Sequence, residues 1–435
     1  MRIVETPTET YDVIIVGAGF AGMTASRELS NRGWKTLILE GRDRIGGRTW
    51  TDKRFGRDLE MGGTWVHWSQ PHVWAEIMRY GLEITSSPRA KVAYWFEGGE
   101  LKKGPSLYTN LDEAFQMFIQ DSREHIPLPY DPLQSPTIKD IDKLSIKERL
   151  DELDLDPVTY DLFKNFWEAV SNGSTETAGY SMALRWYSLA MHDWRLMLET
   201  LATYKLAKGT KALLESIARD STADIRFSTT VARVEKGEGG YEVYTKDAGP
   251  FKTKAVIVTL PINVLHKIAF APALSKQKQL AASEGQTSRG MKFWAKLRGK
   301  YEPFAAYAPA GSAISNCHYE YEANGDSIIV GFGPDAAMLD PNDLVAIQKE
   351  IRRWFPNADV LASTGHNWVA DEFSEQTWFF EKSNHQTRYL AELQRPEEGV
   401  FLSGADYASG WAGMIDGAIE SGLAVSQKVQ QYLDF

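Results

Sequence analysis

Residues 11–40 constrain the fold more than any other stretch of the chain. Tyr11-Asp-Val-Ile-Ile-Val16 is a short β-branched run, the pattern of a strand buried on both faces. Gly17-Ala-Gly19-Phe20-Ala21-Gly22 follows at once, and Met23 to Arg32 then reads as a helix stopped by Gly33. Lys35 to Leu39 reads as a second strand ending on Glu40, 18 residues after Gly22. Strand, glycine turn, helix, strand and acid together make a complete βαβ unit for a dinucleotide. Gly17 allows the tight turn, Gly19 lets a pyrophosphate approach the backbone, and Gly22 lets the helix pack close to the strand. The helix start at Phe20 and Ala21 offers free N–H groups and its positive dipole end to phosphate. Glu40 is placed to accept hydrogen bonds from a ribose.

The 435 residues are enough for two or three domains, and the βαβ alternation stops after residue 85. Gly98-Gly99 marks a hairpin, and Asp112–Arg123 and Thr159–Ser171 carry apolar residues at helical spacing. Residues 127–136 and 151–157 read as loops. Strands return at 225–227, 230–234, 241–245 and 255–260, as a meander followed by a parallel strand, and again at 399–403. The expected architecture is α/β. A Rossmann-type nucleotide-binding domain spans 1–85, 206–265 and 390–435, and an α+β substrate-binding domain spans 86–205 and 266–389.

Composition removes several functions. A net charge of −10 gives no field that would gather nucleic acid or anionic lipid. One cysteine, Cys317, rules out an intramolecular disulfide and a thiolate metal cluster. His67 and His72 lack carboxylates at fixed spacing, so no metal is expected. No run of 18 apolar residues suggests a membrane span, and residues 1–10 have no apolar leader, so a cytoplasmic protein is expected. The 14 Trp, 18 Tyr and 19 Phe supply flat apolar surface for a substrate chamber. Tyr94, Trp95, Phe166, Trp167, Tyr180, Trp186, Tyr187 and Trp194 fall in the substrate-binding part, mostly as core. Trp68 and Trp74, like His67, read as packing.

Further blocks follow the glycine loop: Gly41-Arg42-Asp43-Arg44-Ile45-Gly46-Gly47-Arg48-Thr49, then Asp58-Leu-Glu-Met-Gly62-Gly63-Thr64-Trp65. Arg289-Gly-Met-Lys292, Asn367-Trp368-Val-Ala-Asp371 with Trp378, Ser403-Gly404-Ala405-Asp406 and Trp411-Ala-Gly413-Met414-Ile415 complete the set. Gly62-Gly63 permits close backbone approach to a flat ring, and Arg48 is a fixed cation that can meet phosphate. Together these blocks resemble the flavin amine oxidase family, close in flavour to bacterial nicotine and hydroxynicotine oxidases and to cyclic amine oxidases.

The resemblance implies FAD held by the glycine loop, Glu40, Gly41, Arg42, Gly47, Arg48, Gly62, Gly63, Thr64, Trp65, Val231, Trp368, Gly404, Ala405, Asp406, Gly413, Met414 and Ile415. It implies Lys292 near flavin N5, with Lys296 ranked behind it, and Trp378, Trp411 and Met414 around the amine. Met414 stands where many members carry an aromatic, which makes a one-sided, softer cage. Thr377 stands where some members link flavin through cysteine, so the FAD is expected to be noncovalent. The implied reaction oxidises an apolar alkyl, arylalkyl or cyclic amine to an imine by hydride transfer to N5. Dioxygen becomes hydrogen peroxide and the imine is hydrolysed. Three alternatives stay open: an L-amino acid oxidase, for which Arg185 and Arg195 are the available cations; a dehydrogenase serving a protein acceptor; and a flavoprotein scaffold. The oligomeric state also stays open, a homodimer included.

Overall fold

A computed structural model describes residues 10–247 and 249–434; the expectation drawn from residues 1–10 lies, apart from Thr10, outside the described residues. Two sheets organise the chain. In the first, of eight strands, Thr10–Val16 runs parallel to Phe251–Val258 on one side and to Thr36–Leu39 on the other, and Asp224–Arg226 extends it. Val13 and Ile15 face one core, shared with the helices Phe20–Ser30, Gly209–Arg219 and Ile415–Leu433. Ile14 and Val16 face another, with Val243, Leu265 and Leu402. The β-branched run is therefore covered on both faces, because successive side chains of a strand alternate.

The expected meander is present as Val231–Gly237, Gly240–Thr245 and Phe251–Val258. Its last strand is also the parallel partner of Thr10–Val16, so meander and parallel strand share one element rather than following one another. Val400–Leu402 pairs parallel with Val256–Val258, which brings three distant stretches of chain into one sheet.

The second sheet has seven strands, ordered Val360–Thr364, Met291–Leu297, Asp326–Gly333, Asn316–Ala323, Phe304–Tyr307, Val92–Glu97 and Glu100–Gly104. Residues 112–202 build an aromatic helical layer that shares a core with one face of the first sheet. Phe115 stacks on Trp194 with ring centroids 4.3 Å apart, and Phe118 stacks on Trp167 at 4.8 Å. Several boundaries differ from the sequence reading for local reasons. The helix expected at 23–32 runs Phe20–Ser30. That at 159–171 starts at Pro157, whose missing N–H costs nothing in a first turn, and Asp156 caps it. The stretch 112–123 breaks after Phe118, and Asp121 sits in the left-handed region at φ 62°. Among the described residues no helix is long and apolar enough to cross a membrane.

Candidate active site

A cavity of about 1190 Å³ runs from the carboxyl ends of the first sheet's parallel strands to the face of the second. It exceeds the 300–1,000 Å³ usual for one small ligand. One end is made of backbone. Gly17 has φ 106°, and a Cβ on it would stand 2.5 Å from Thr259 Oγ1. A Cβ on Gly22 would stand 2.1 Å from Gly17 O, so this glycine serves helix–strand packing and does not itself line the cavity. Gly19 is different: a Cβ there would find no protein atom nearer than Gly46 O at 3.9 Å. The protein does not need that glycine for its own packing; a ligand lying against the backbone would. The helix Phe20–Ser30 starts at Gly19 with no side-chain cap, so its first N–H groups are open to an anion.

Glu40 is buried, and its carboxylate accepts the backbone N–H groups of Ala18 at 2.7 Å and Arg42 at 2.8 Å. These bonds fix it at the tip of its strand with lone pairs left for ribose hydroxyls. Arg42 lines the cavity while its guanidinium holds Asp371 at 2.5 Å. Burial opposes ionisation of Asp371, but bonds from His366 and Arg42 keep it well below the usual carboxylate range.

Arg48 also lines the cavity. Its Nη1 donates to Thr377 O at 2.9 Å and its Nη2 to Asp406 Oδ1 at 2.5 Å. Asp406 is buried behind this wall, accepting from Ile262 N and Gln376 Nε2, and acts through Arg48. Gly62 is fixed by packing, since a Cβ would overlap Arg48 O at 1.9 Å. Gly41, Gly47, Gly63, Thr64, Trp65, Val231, Trp368, Gly404, Ala405, Gly413, Met414 and Ile415 all reach the cavity. The set of open N–H groups, an uncrowded Gly19, an anchored carboxylate and a held arginine fits a dinucleotide.

The other end is made of side chains on the second sheet. Tyr307 pairs with Asn316, Asn316 with Phe332 and Phe332 with Lys292, so one cross-strand row of four residues forms the chamber wall. Lys292 is buried at the junction of the two ends. Its Nζ donates to Gly62 O at 2.9 Å and to Thr64 Oγ1 at 2.6 Å. Burial pulls its ammonium well below the ordinary lysine range, a pull opposed by Glu60. Lys296 points away from the site to Asp326 at the surface.

Trp378 is anchored through Nε1 to Val170 O at 3.0 Å and meets Phe332 edge-on at 6.2 Å. Met414 lines the same cavity, and its sulfur accepts from Gln70 Nε2 at 3.0 Å. Trp411, expected beside the amine, is not there. It is fully buried, donates to Ser69 O at 3.0 Å and does not line the cavity, because its ring is consumed in packing. Of the candidate aromatics of the substrate-binding part, Phe166 and Trp186 reach the chamber and the rest are core or surface.

The sequence did not single out Tyr108, Tyr307, Asn165, Asn316, His318 or Phe332, all of which line the chamber. Tyr108 and Tyr307 meet edge-on with ring centroids 5.7 Å apart, and Asn165 Oδ1 is buried without a hydrogen bond among the described residues. His318 is pulled down to about 4 by burial, with Lys205 and Lys292 adding to it, so it is neutral. Arg185 is buried against the carbonyls of Pro129, Ala408 and Ser409, and Arg195 pairs with Asp112 at the surface; neither lines the cavity. His72 does meet carboxylates, Asp416 and Glu420, that come from far along the chain. Asp416 already accepts the N–H groups of His72 and Val73 at the start of the helix Pro71–Arg79, and Glu420 those of Ser409 and Gly410 in a loop.

A sequence model of the flavin containing amine oxidoreductases matches residues 20–430. The chain belongs to this family. The enzyme is therefore a flavin-containing amine oxidoreductase, and its cofactor is FAD. It is 35% identical to pseudooxynicotine dehydrogenase of Pseudomonas sp, covering 97% of this chain and 87% of that protein. It is 33% identical to nicotine dehydrogenase of Pseudomonas putida (strain DSM 28022 / S16), over 97% and 89% of the two chains. A solved structure of putrescine oxidase bound to putrescine superposes with TM-score 0.86 at 20% identity, covering 98% of this chain and all of that one. Cyclohexylamine oxidase from Brevibacterium oxydans IH-35A gives 0.80 at 16%, over 99% of this chain and all of that one. These two show that the flavin amine oxidoreductase has the fold of both oxidases.

Proposed function

We propose that this enzyme oxidises an apolar arylalkyl or cyclic amine, secondary in preference to primary, to its imine, with dioxygen as acceptor and hydrogen peroxide as product. The observation that carries the reading is the chamber itself: an aromatic-walled space, reached by neither Arg185 nor Arg195, that opens onto Lys292 and the glycine-lined end. An amino acid oxidase would need a cation held inside the chamber for the substrate carboxylate, and Arg89, which also lines the cavity, is exposed to solvent. A desolvating apolar wall instead favours the neutral amine, whose lone pair the oxidation requires. FAD, when bound, accepts the hydride; the chain's part is to bind, orient and keep water out.

Trp378, Phe332 and Met414 supply the flat and soft surfaces for the amine. Asn165, Tyr108 and Tyr307 place polar side chains on the chamber wall. Such handles suit a substrate with a heteroatom remote from the amine, and the names of the nicotine-type relatives support that class. Glu40, Arg48 and the helix start at Phe20 hold the dinucleotide, and Lys292 presents its Nζ near the reacting ring. We assign 1–85, 206–265 and 390–435 to binding FAD and the remaining segments to the substrate. The FAD is held noncovalently: Thr377 offers no thiol, and Cys317 packs among Met291, Phe293 and Ile329 with its thiol pushed up to about 12 by burial. A single buried thiol suits a reducing compartment, and we place the enzyme in the cytoplasm.

A second reading, a dehydrogenase serving another acceptor, is favoured by the names of the two relatives. Anaerobic titration with a panel of amines and amino acids tests both. Bleaching of the flavin band by an arylalkyl amine, reversed by air with peroxide formed, supports the oxidase. Bleaching that air reverses poorly supports the dehydrogenase. Bleaching by amino acids alone rejects both.

A further inference from the structure

Behind Lys292 lies a second cavity of about 640 Å³, and its character is opposite to that of the first. Glu60, Thr64, Lys205, Glu320 and Tyr321 line it. Thr64 lines both cavities, and its hydroxyl is the one that accepts from Lys292 Nζ at 2.6 Å. Deeper in, Lys205 pairs with Glu320 and donates to Tyr321 OH at 3.0 Å, while the side chains of Lys205 and Glu320 are only 5% and 0% exposed. Ser87 Oγ donates to Glu320 Oε1 at 3.0 Å, but Glu320 Oε2 has no hydrogen bond among the described residues and faces the neutral His318, with Nε2 3.7 Å away. Keeping a buried carboxylate with one oxygen open is costly unless water reaches it. A polar space of this size has room for several waters, each with polar partners.

On its other side Lys292 faces the main cavity, the space that FAD and amine would fill. There it meets the rings of Trp65 at 5.1 Å and Trp294 at 5.3 Å, with Phe332 across the strand pair. The charged and titratable groups around it are Glu60, Arg57, Lys205, Glu320 and the neutral His318. The chemistry needs a proton path on the closed side. An ammonium substrate must shed one proton before its hydride leaves. Dioxygen, receiving that hydride equivalent, takes up one proton to become hydrogen peroxide.

We propose that the second cavity is a proton channel: water in it carries protons between solvent and Lys292 Nζ through the Thr64 hydroxyl, with Glu320 as the exchanging carboxylate and Lys205 as its positioning partner. The Thr64 hydroxyl accepts from Lys292 and can turn its own proton from Gly62 O, 3.0 Å away, toward the cavity. The inference rests on the reading that puts Lys292 beside the flavin.

The test uses the resting holoenzyme without amine. A pH jump in a stopped-flow cell is followed by the flavin visible band, which responds when Lys292 gains or loses its charge; Lys292→Met is the control that abolishes the response. Glu320→Gln removes the exchanging acid and keeps its shape. Thr85→Trp plugs the cavity from an exposed strand position, away from the buried pair. Each variant is expected to relax at least ten-fold more slowly than the parent, and imidazole, a small proton carrier, is expected to restore Glu320→Gln. Relaxation as fast as the parent's in Thr85→Trp overturns the channel, whatever Glu320→Gln does. A parent band that ignores pH overturns the placing of Lys292 itself, and the channel with it.

Discussion

The two ends of the main cavity are built by different means. The nucleotide end is mainly backbone: glycines, open N–H groups and one carboxylate held by two N–H groups, mostly within residues 16–65, with Val231, Thr259, Trp368 and the Gly404 and Gly413 segments added from farther along the chain. The substrate end is side chains, contributed by one row across four strands and by helices from residues 157–202. A backbone site tolerates no added atom, as Gly22 and Gly62 show. A side-chain site can be re-shaped one residue at a time. Substitutions should therefore abolish at one end and tune at the other.

The largest effect is expected where the two kinds of wall are pinned together. Asp406 is buried and holds Arg48, Ile262 N and Gln376 at once. Asp406→Ala leaves Arg48 Nη2 and two further donors unpaired, a loss on the order of 3–5 kcal/mol. Chemical denaturation with flavin retention as a second readout checks it; an unshifted curve with full flavin would show that the wall does not depend on the pair.

Lys292 stands at the junction, and Lys292→Met is expected to slow reoxidation by dioxygen about 100-fold, equivalent to about 2.7 kcal/mol, while slowing amine oxidation less. Stopped-flow of the separated half-reactions measures both; equal effects would sink the proposed role. The sign of its pH dependence follows from its lowered pKa. Unfolded, the side chain keeps its proton up to its ordinary value near 10.5, whereas the folded protein releases it earlier. Between those two values the unfolded state binds more protons, so this group makes stability rise with pH across that window. Lys292→Met should flatten that rise, and denaturation curves across the window would reveal it.

Farther into the chamber, Trp378→Ala removes one flat wall and is expected to raise the apparent substrate constant or lower turnover by about 1–2 kcal/mol, with flavin retained. An unchanged enzyme would remove Trp378 from the amine's path.

The same division explains what could be read from the sequence. A backbone site needs its glycines and acid in a fixed local order, so Gly17 to Glu40 announced themselves, and Arg48, Gly62 and Gly63 followed by resemblance. Lys292 was also legible, because its segment is a family motif. Tyr307, Asn316 and Phe332 carry no local signature; only sheet register aligns them. One clue was there to use: Asn324-Gly325, an Asn-Gly pair between two strand-like runs, is a strong hairpin signal. It joins Asn316–Ala323 to Asp326–Gly333 and fixes the register of that row. Trp411 misled for the opposite reason. It sits within a family motif, yet its indole is spent on Ser69 O inside the core.

The smallest effect, and the sharpest on substrate class, is expected from Tyr307→Phe. The variant keeps the ring, its strand and its edge-on packing with Tyr108, and removes one hydroxyl from the chamber wall. Tyr108 keeps its own hydroxyl on that wall, so the loss should be only about 0.5–1.5 kcal/mol. What matters is where that loss falls. If the pair reads a remote heteroatom, a heteroaryl-alkyl amine should lose affinity while a plain alkyl amine of similar size is untouched. Competition between the two amines measures the ratio directly, and a ratio equal to the parent's would mean that the chamber selects by shape and apolar surface alone.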